Sequence, residues 1–549
     1  MTTESPTALV DLHGRSPWSI LPALCLGFFM IMVDTTIVNI AIPSLITAFD
    51  ADLTAVGWVN SAYLLTFATL LLVTGRLGDR FGPRPVFMLG LVVFTLASLA
   101  CGLSGTIGLL IAARAVQGIG AALMTPQTMS MITRVFPPQK RGAALGVWGA
   151  VAGVATIAGP VLGGILVQSA GWEWIFYINI PVAVVALWFA STRLPTLPTA
   201  NRTFDLLGVL LSVGGMFLLV FGIQEGATYD WGTITGPITV WSVIGAGVVV
   251  LVGFVLWQRH LKADALLPLS LFHSRNFSLS NVAGAAVTFG LTGIFFPLTL
   301  FLQEVLGLSP LHAALVGLPG SLVSGVVAPF AGRLSDRIAA KWVVATGFLL
   351  VAISVFFIAI AIEPGVPIWH IVLPNVLFGV GIGCLFSPLA SLATSGLDQR
   401  TAGAGAGAFN TTRQIGGVIG SAVIVALLTS RLAVTIPAAA RDQAANLPED
   451  VRQTFVDGFA NAGGAFANGS AGGMKLPDSV PADVAAQIQA AATAAVHSGF
   501  ATAASQTILA TVVVLILGFV ASIAMKGGRT HHEAPVAAAV PVPEASVQA

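Results

Sequence analysis

Fourteen continuously apolar runs separated by short loops constrain this chain more than any other feature. They lie near residues 19–42, 54–74, 86–104, 107–131, 143–168, 174–192, 206–224, 237–257, 278–302, 312–331, 342–362, 368–394, 403–429 and 503–525. Each approaches the about 20 residues that a helix needs to cross a bilayer. The runs are uniformly apolar rather than alternating, which excludes a membrane-spanning barrel, and backbone groups in lipid must be satisfied within their own segment. Charged residues are 9% and hydrophobic residues 56% of the 549-residue chain, where a soluble domain has about 25% charged residues. The expected fold class is an all-α polytopic membrane protein.

Basic residues test this count independently. Taken as loops between the runs, those on one side carry Arg15, then Arg76, Arg80 and Arg84, and so on to Lys526 and Arg529. Short loops on the other side carry no Lys or Arg. The positive-inside rule then puts both termini in the cytoplasm. Arg114 and Arg413 fall inside runs, and Arg431, Arg441, Arg452 and Lys475 fall in one long outer segment, where the rule weakens. Residues 1–18 read as a cytoplasmic N-terminus, 431–500 as an outer loop with short helices and flexible links, and 526–549 as a disordered cytoplasmic tail. The outer loop either caps the outer opening or is a tolerated insertion.

Asp34 is the only charge between Ser19 and Pro43. An intramembrane carboxylate is costly unless it faces protein or water, and it is a functional hypothesis by default. Burial disfavours its charged form, so it can hold or release a proton, as a proton-coupled carrier requires. The alternative is a neutral side chain hydrogen-bonded to a neighbouring helix.

The hexapeptide GRLGDR (Gly75–Arg80) follows the second run and GRLSDR (Gly332–Arg337) follows the tenth. Setting aside runs seven and eight puts the second copy at the same place in a second six-helix half, the symmetry of a carrier built from parallel repeats. This predicts an N-terminal half at 19–192, a linker with two extra membrane helices at 193–276, and a C-terminal half at 277–525.

Gly75, Leu77, Gly78, Asp79, Arg80, Gly82 and Arg84 resemble the signature loop of the major facilitator superfamily (MFS), departing from it at Pro83. The resemblance implies the MFS fold, with 14 transmembrane helices here, and a cytoplasmic gating motif in these residues and in Asp336 and Arg337. A simple topogenic basic loop explains Arg80 and Arg84 but not Asp79 or the glycines. In the fourth run, Arg114 and Gln117 precede Gly118 and Gly120, similar to the superfamily segment whose arginine serves proton coupling. The partner of Arg114 is either Asp34, directly or through water, or backbone carbonyls. In the fifth run, Gly146, Gly149 and Gly153 lead into Gly159, Pro160, Gly163 and Gly164. This resembles the antiporter motif of drug exporters, with Ala155 where that motif has Gly. Small residues there let helices approach closely, and Pro160 can kink the helix against the other half.

The segments VDTTIVNIAIP (Val33–Pro43) and GWEWIFYINIP (Gly171–Pro181) further resemble the fourteen-helix drug/proton antiporters, with Glu173 where that family has Arg. FDLLG (Phe204–Gly208), LFHSRNF (Leu271–Phe277), LFLQEVLGLSP (Leu300–Pro310) and RQIGGVIG (Arg413–Gly420) continue the likeness. Trp172 and Trp174 also suit an interfacial aromatic belt.

The resemblance implies proton-coupled export of lipophilic or amphipathic drugs by alternating access, across a bacterial cell membrane, with Asp34 and Arg114 coupling the proton. Cavity candidates taken from the superfamily's cavity-lining helices are Asn39, Tyr63, Gln117, Met124, Phe289 and Gln303. With Asp34 as the only clearly mid-membrane acid, one proton per cycle and neutral or monocationic substrates are expected. The partners are then protons, a small lipophilic substrate and the bilayer, with the chain acting as a monomer. Alternatives are an exporter dedicated to one natural product or lipid, and a non-transporting receptor or scaffold on a carrier fold.

An enzyme is not expected. No GxxxxGK[ST] phosphate loop occurs, so the energy source is the proton gradient rather than a nucleotide or other cofactor. The eight His residues form no metal-spaced cluster, Cys25, Cys101 and Cys384 sit singly in apolar runs, and no hydrolase triad is visible. A formal net charge of +1 gives no basic face for nucleic acid.

Overall fold

Apolar runs without a polar period form helices along nearly their whole length. A computed structural model describes residues 15–526 apart from 52, 200–204, 227, 230, 262–264, 396, 398–400 and 468–481. Most of the expected N-terminal segment, the tail after Lys526 and the glycine-rich end of the outer segment lie outside the described residues. The helices in order are α1 (Leu21–Phe49), α2 (Leu53–Phe81), α3 (Pro83–Gly102), α4 (Ile107–Val135), α5 (Pro138–Ser169), the short α6 (Trp174–Tyr177) and α7 (Asn179–Arg193). They continue with α8 (Leu206–Gln224), α9 (Val240–Leu261), α10 (Arg275–Leu300), α11 (Pro310–Arg337), α12 (Ala340–Ala361), α13 (Trp369–Thr394), α14 (Ala402–Ala444), α15 (Glu449–Ala467) and α16 (Ala482–Ala524). Fourteen helices among the described residues are long and apolar enough to cross a membrane.

Local chemistry sets the junctions. Asp50 ends α1 in the left-handed conformation, and its N–H donates to the Ile46 carbonyl. Gly82, at φ +93°, turns the chain between α2 and α3, and Pro83 opens α3, where its missing N–H costs nothing. The Thr106 hydroxyl accepts from the Leu109 N–H at the start of α4. A small hairpin of β1 (Thr233–Thr235) and β2 (Ile238–Thr239) joins α8 to α9, with Thr233 opposite Thr239.

Packing runs across the bundle rather than only along the chain. α5 lies along α11, and α2 along α14. α8 packs on α9 and also touches α2 and α14, with the Trp58 and Phe221 rings 5.9 Å apart. The extra helices therefore rest beside the seam between α2 and α14.

The outer segment differs from the expected loop. α14 and α16 have 43 residues each, about 65 Å at ~1.5 Å per residue, more than twice the ~30 Å hydrocarbon core. Leu428, Leu432, Ile436 and Ala440 form a stripe on α14 that buries against Phe455, Phe459, Ile488 and Ala495. The Thr435 hydroxyl donates to the Gly499 carbonyl at 2.7 Å. Alanine-rich sequence is too weakly apolar to span a membrane yet has the highest helix propensity, so the membrane helices continue beyond the bilayer instead of ending in a loop.

Candidate functional site

Asp34 lies in the middle of α1, wholly shielded from solvent. Arg114 of α4 reaches it directly, with Nη1 to Oδ2 at 2.5 Å. The Gln117 amide donates to Asp34 Oδ1 at 2.9 Å, and Asn179 of α7 donates to the same oxygen at 3.3 Å. Arg114 also donates Nε to the Val59 carbonyl at 3.0 Å and Nη1 to Gln117 Oε1 at 2.8 Å. Its guanidinium sits 4.2 Å over the Tyr63 ring. Ser98 of α3 joins through its Oγ, which accepts from Gln117 at 3.2 Å and from Asn179 at 3.0 Å. Both routes weighed for Arg114, the carboxylate and a backbone carbonyl, are thus used together.

The spacing of Arg114 and Gln117, one helical turn apart, aims both side chains at the same carboxylate. Arginine cannot shed its proton, so a buried guanidinium needs an anion, and Asp34 provides it. Besides Asp34, Arg114 is held by the Val59 carbonyl, by Gln117 Oε1 and by the Tyr63 ring. The cluster is a buried charge pair closed off from solvent.

Three cavity candidates are buried. Gln117 is a member of the Asp34 cluster, and Tyr63 is buried beneath Arg114 with its hydroxyl unpaired. Met124 is buried against the α1 and α3 glycines Gly27 and Gly90. Asn39 is exposed, and Phe289 and Gln303 are half-buried. Trp172 is also buried, against Phe49 and Phe176, and is not a belt residue, whereas Trp174 is exposed.

The glycines of α5 serve two neighbours. A Cβ on Gly146 would meet the Ala328 carbonyl and Pro329 Cα of α11, each at 2.8 Å. A Cβ on Gly159 would collide with the Thr36 hydroxyl, and one on Gly163 would lie 2.9 Å from Ile37 Cγ1. The first part of α5 therefore packs on the opposite half, at Gly146 rather than at Pro160. Gly159 and Gly163, by contrast, press on α1 of their own half, beside Asp34. Gly164 has only Leu311 near, at 3.9 Å, while Pro160 lies inside the helix.

The repeated hexapeptides make a crossed pair of caps. The Asp79 carboxylate accepts from the Gly403 and Ala404 N–H groups at the start of α14, both at 2.9 Å. Asp336 accepts from the Gly142 and Ala143 N–H groups at the start of α5, at 3.0 and 3.2 Å. Asp79 meets orphan donors in the first turn of α14, while Asp336 lies against the second turn of α5, and both carboxylates sit at the positive end of a helix dipole. Arg134 Nη2 lies 3.4 Å from Asp79. A Gly75 Cβ would strike the backbone around Gly403. Arg84 donates to the Ser191 carbonyl at 2.7 Å, Arg80 lies by the Phe81 ring, and Arg337 is exposed. Of the expected motif residues, Gly75, Asp79 and Asp336 make the contacts between halves, whereas Arg80, Arg84 and Arg337 lie outside those contacts.

Asn179 and Ser98 complete the Asp34 shell without having been singled out. Asn179 had a signal, as a polar residue ahead of the apolar stretch of α7 and within Gly171–Pro181. A serine such as Ser98 is too common in membrane helices to stand out.

A bundle of fourteen spanning helices, bound at one end by reciprocal caps and holding a buried charge pair, is a carrier fold. The chain belongs to the Major Facilitator Superfamily, whose sequence profile matches residues 24–421. It is 46% identical to the uncharacterized MFS-type transporter Rv1250 of Mycobacterium tuberculosis over 83% of this chain and 79% of that protein. It is 34% identical to the tetracenomycin C resistance and export protein of Streptomyces glaucescens over 78% and 79%. The proton:xylose symporter XylE superposes with a TM-score of 0.54 at 15% identity, covering 82% of this chain and 94% of that one, which shows a shared fold.

Proposed function

We propose that this MFS transporter is a proton-coupled antiporter that exports small lipophilic or amphipathic molecules across a bacterial cell membrane, without an enzymatic step. The observation that carries this reading is the enclosed Asp34–Arg114 pair with Gln117 and Asn179. A proton reaching Asp34 from outside breaks the pair and loosens α1. The Gly159 and Gly163 contacts pass that change to α5, which also touches α11 of the other half. With the basic end assigned to the cytoplasm, the Asp79 and Asp336 caps hold the cytoplasmic side closed, and their release opens it to substrate. Substrate and proton then alternate, the gradient supplying the energy, and the chain works as a monomer.

A narrower reading, export of a single natural product, is favoured by the relative named for tetracenomycin C resistance and export. Proton release from inverted membrane vesicles, followed with a pH-sensitive dye on adding lipophilic drugs, tests the proposal. Drug-evoked proton movement should vanish in Asp34→Asn at equal expression. Movement that persists in the variant moves the proton site elsewhere, and no movement with a broad drug panel favours the single-substrate exporter.

A further inference from the structure

Arg413, like Arg114, falls inside one of the apolar runs, and the Asp34 cluster does not use it. It lies 11 residues into α14, since 413 − 402 = 11, about 16 Å along the helix and near the middle of a ~30 Å core. The α10–α14 seam holds its backbone: the Thr288 hydroxyl donates to the Arg413 carbonyl at 2.6 Å, and a Cβ on Gly284 would lie 3.0 Å from Arg413 Cγ. The guanidinium extends over Phe386 of α13 at 4.9 Å and near Phe409 at 5.8 Å. Phe386 faces the other half, its Cβ 3.6 Å from where a Gly149 side chain would begin on α5. Among the described residues no carboxylate pairs with Arg413, and the side chain remains partly accessible.

Arg114 and Arg413 therefore differ in kind. The first is sealed and neutralised by Asp34. The second presents a permanent positive charge at the meeting of the halves, flanked by aromatic rings. Cation–π attraction to the rings is small beside the cost of holding a guanidinium at this depth, so the charge is complete only when an anion joins it.

We infer that Arg413 is the recognition point for an anionic group, a carboxylate or sulfonate, on an otherwise apolar aromatic substrate. The planar fork pairs with two anion oxygens, and Phe386 and Phe409 supply apolar faces for the attached ring. This inference rests on the export reading and gives its substrate a sign, replacing the neutral or monocationic preference expected from Asp34 alone.

The test compares fluorescein, an anion, with a cationic rhodamine of the same ring system. Binding to the purified full-length protein is read by fluorescence anisotropy, and transport in proteoliposomes. Wild type should bind fluorescein more tightly than the rhodamine. Arg413→Gln should weaken fluorescein about tenfold or more, as expected for a lost charged hydrogen bond, and leave rhodamine unchanged or tighter. Arg413→Lys, which keeps the charge but not the fork, should fall between. Wild type that binds neither dye, or binds rhodamine at least as tightly, overturns the inference, as does undiminished fluorescein binding by Arg413→Gln. If Arg413→Gln does not fold, the wild-type preference and the Arg413→Lys loss decide. Arg413-dependent binding without transport defeats the export reading alone, and transport of both dyes without dependence on Arg413 defeats this inference alone.

Discussion

Asp34 and Arg114 are 80 residues apart in sequence, yet carboxylate and guanidinium meet at 2.5 Å with both side chains closed to solvent. Neither is stable alone at that depth, because removing one partner of a buried pair leaves an uncompensated charge. Asp34→Asn is therefore expected to destabilise the protein by about 3–5 kcal/mol, in addition to its effect on coupling. The double variant Asp34→Asn/Arg114→Gln should recover most of that loss while staying uncoupled. Thermal unfolding in detergent checks this, and a double variant no more stable than Asp34→Asn contradicts it.

Contact between α5 and α1 depends on a missing side chain at Gly159. Gly159→Val drives a methyl-bearing Cβ into Thr36, an overpacking cost of about 1–3 kcal/mol, and transport should be lost. Gly164→Ala meets only the Leu311 methyl at 3.9 Å, and its effect should stay within about 0.5 kcal/mol. Equal transport defects in the two variants would show that the α1 contact is not the reason.

Reciprocal caps at the basic end predict additive release. Asp79→Ala removes a carboxylate from two orphan donors in the first turn of α14, and Asp336→Ala one from two backbone donors in the second turn of α5, each a charged hydrogen-bond loss of about 1 kcal/mol or more. Together they should raise the population open at that end by roughly 5–30-fold. Spin labels on the exposed positions Phe81 and Arg333, one in each half, should gain a longer-distance population in the double variant. An unchanged distance distribution would remove the caps from gating.

Glu225, just past α8, is buried, and burial raises its pKa above the usual carboxylate value while a hydrogen bond with Thr228 opposes the shift. The folded protein then holds the proton more strongly than the unfolded chain. Its contribution to stability is present below the unfolded pKa and is lost as pH rises through the folded one. Glu225→Gln should flatten that part of the pH–stability profile and leave the variant more stable than wild type at neutral pH. A melting profile with the same pH slope in both proteins would contradict this.

Much of the fold was legible because lipid removes most of the choices a chain has. Apolar length, the basic loops and the repeated hexapeptides were sufficient for fourteen helices and for placing Asp79 and Asp336 at equivalent positions. The outer segment was misread because hydropathy measures membrane residence, whereas α14 and α16 outside the bilayer are held by alanine propensity and a four-residue stripe. Of the site, Asp34, Arg114 and the α5 glycines were visible as rare residue types in apolar surroundings. Tyr63, Gln117 and Met124 were placed on α2 and α4, but which neighbouring helix each of them meets was not visible. Low amphipathicity explains this: a helix apolar all round does not reveal which side meets a neighbour.

Sequence by itself determined the number of spans, their order, the internal repeat, and the presence of an acid and a base in the membrane, since each follows from local composition. Only the tertiary structure decided that Asp34, Ser98, Arg114, Gln117 and Asn179 form one cluster, that Gly159 presses on α1 while Gly146 presses on α11, and that among the described residues no carboxylate pairs with Arg413. Those outcomes depend on the rotation of each helix about its axis, which is set by the close packing of neighbours far apart in the chain.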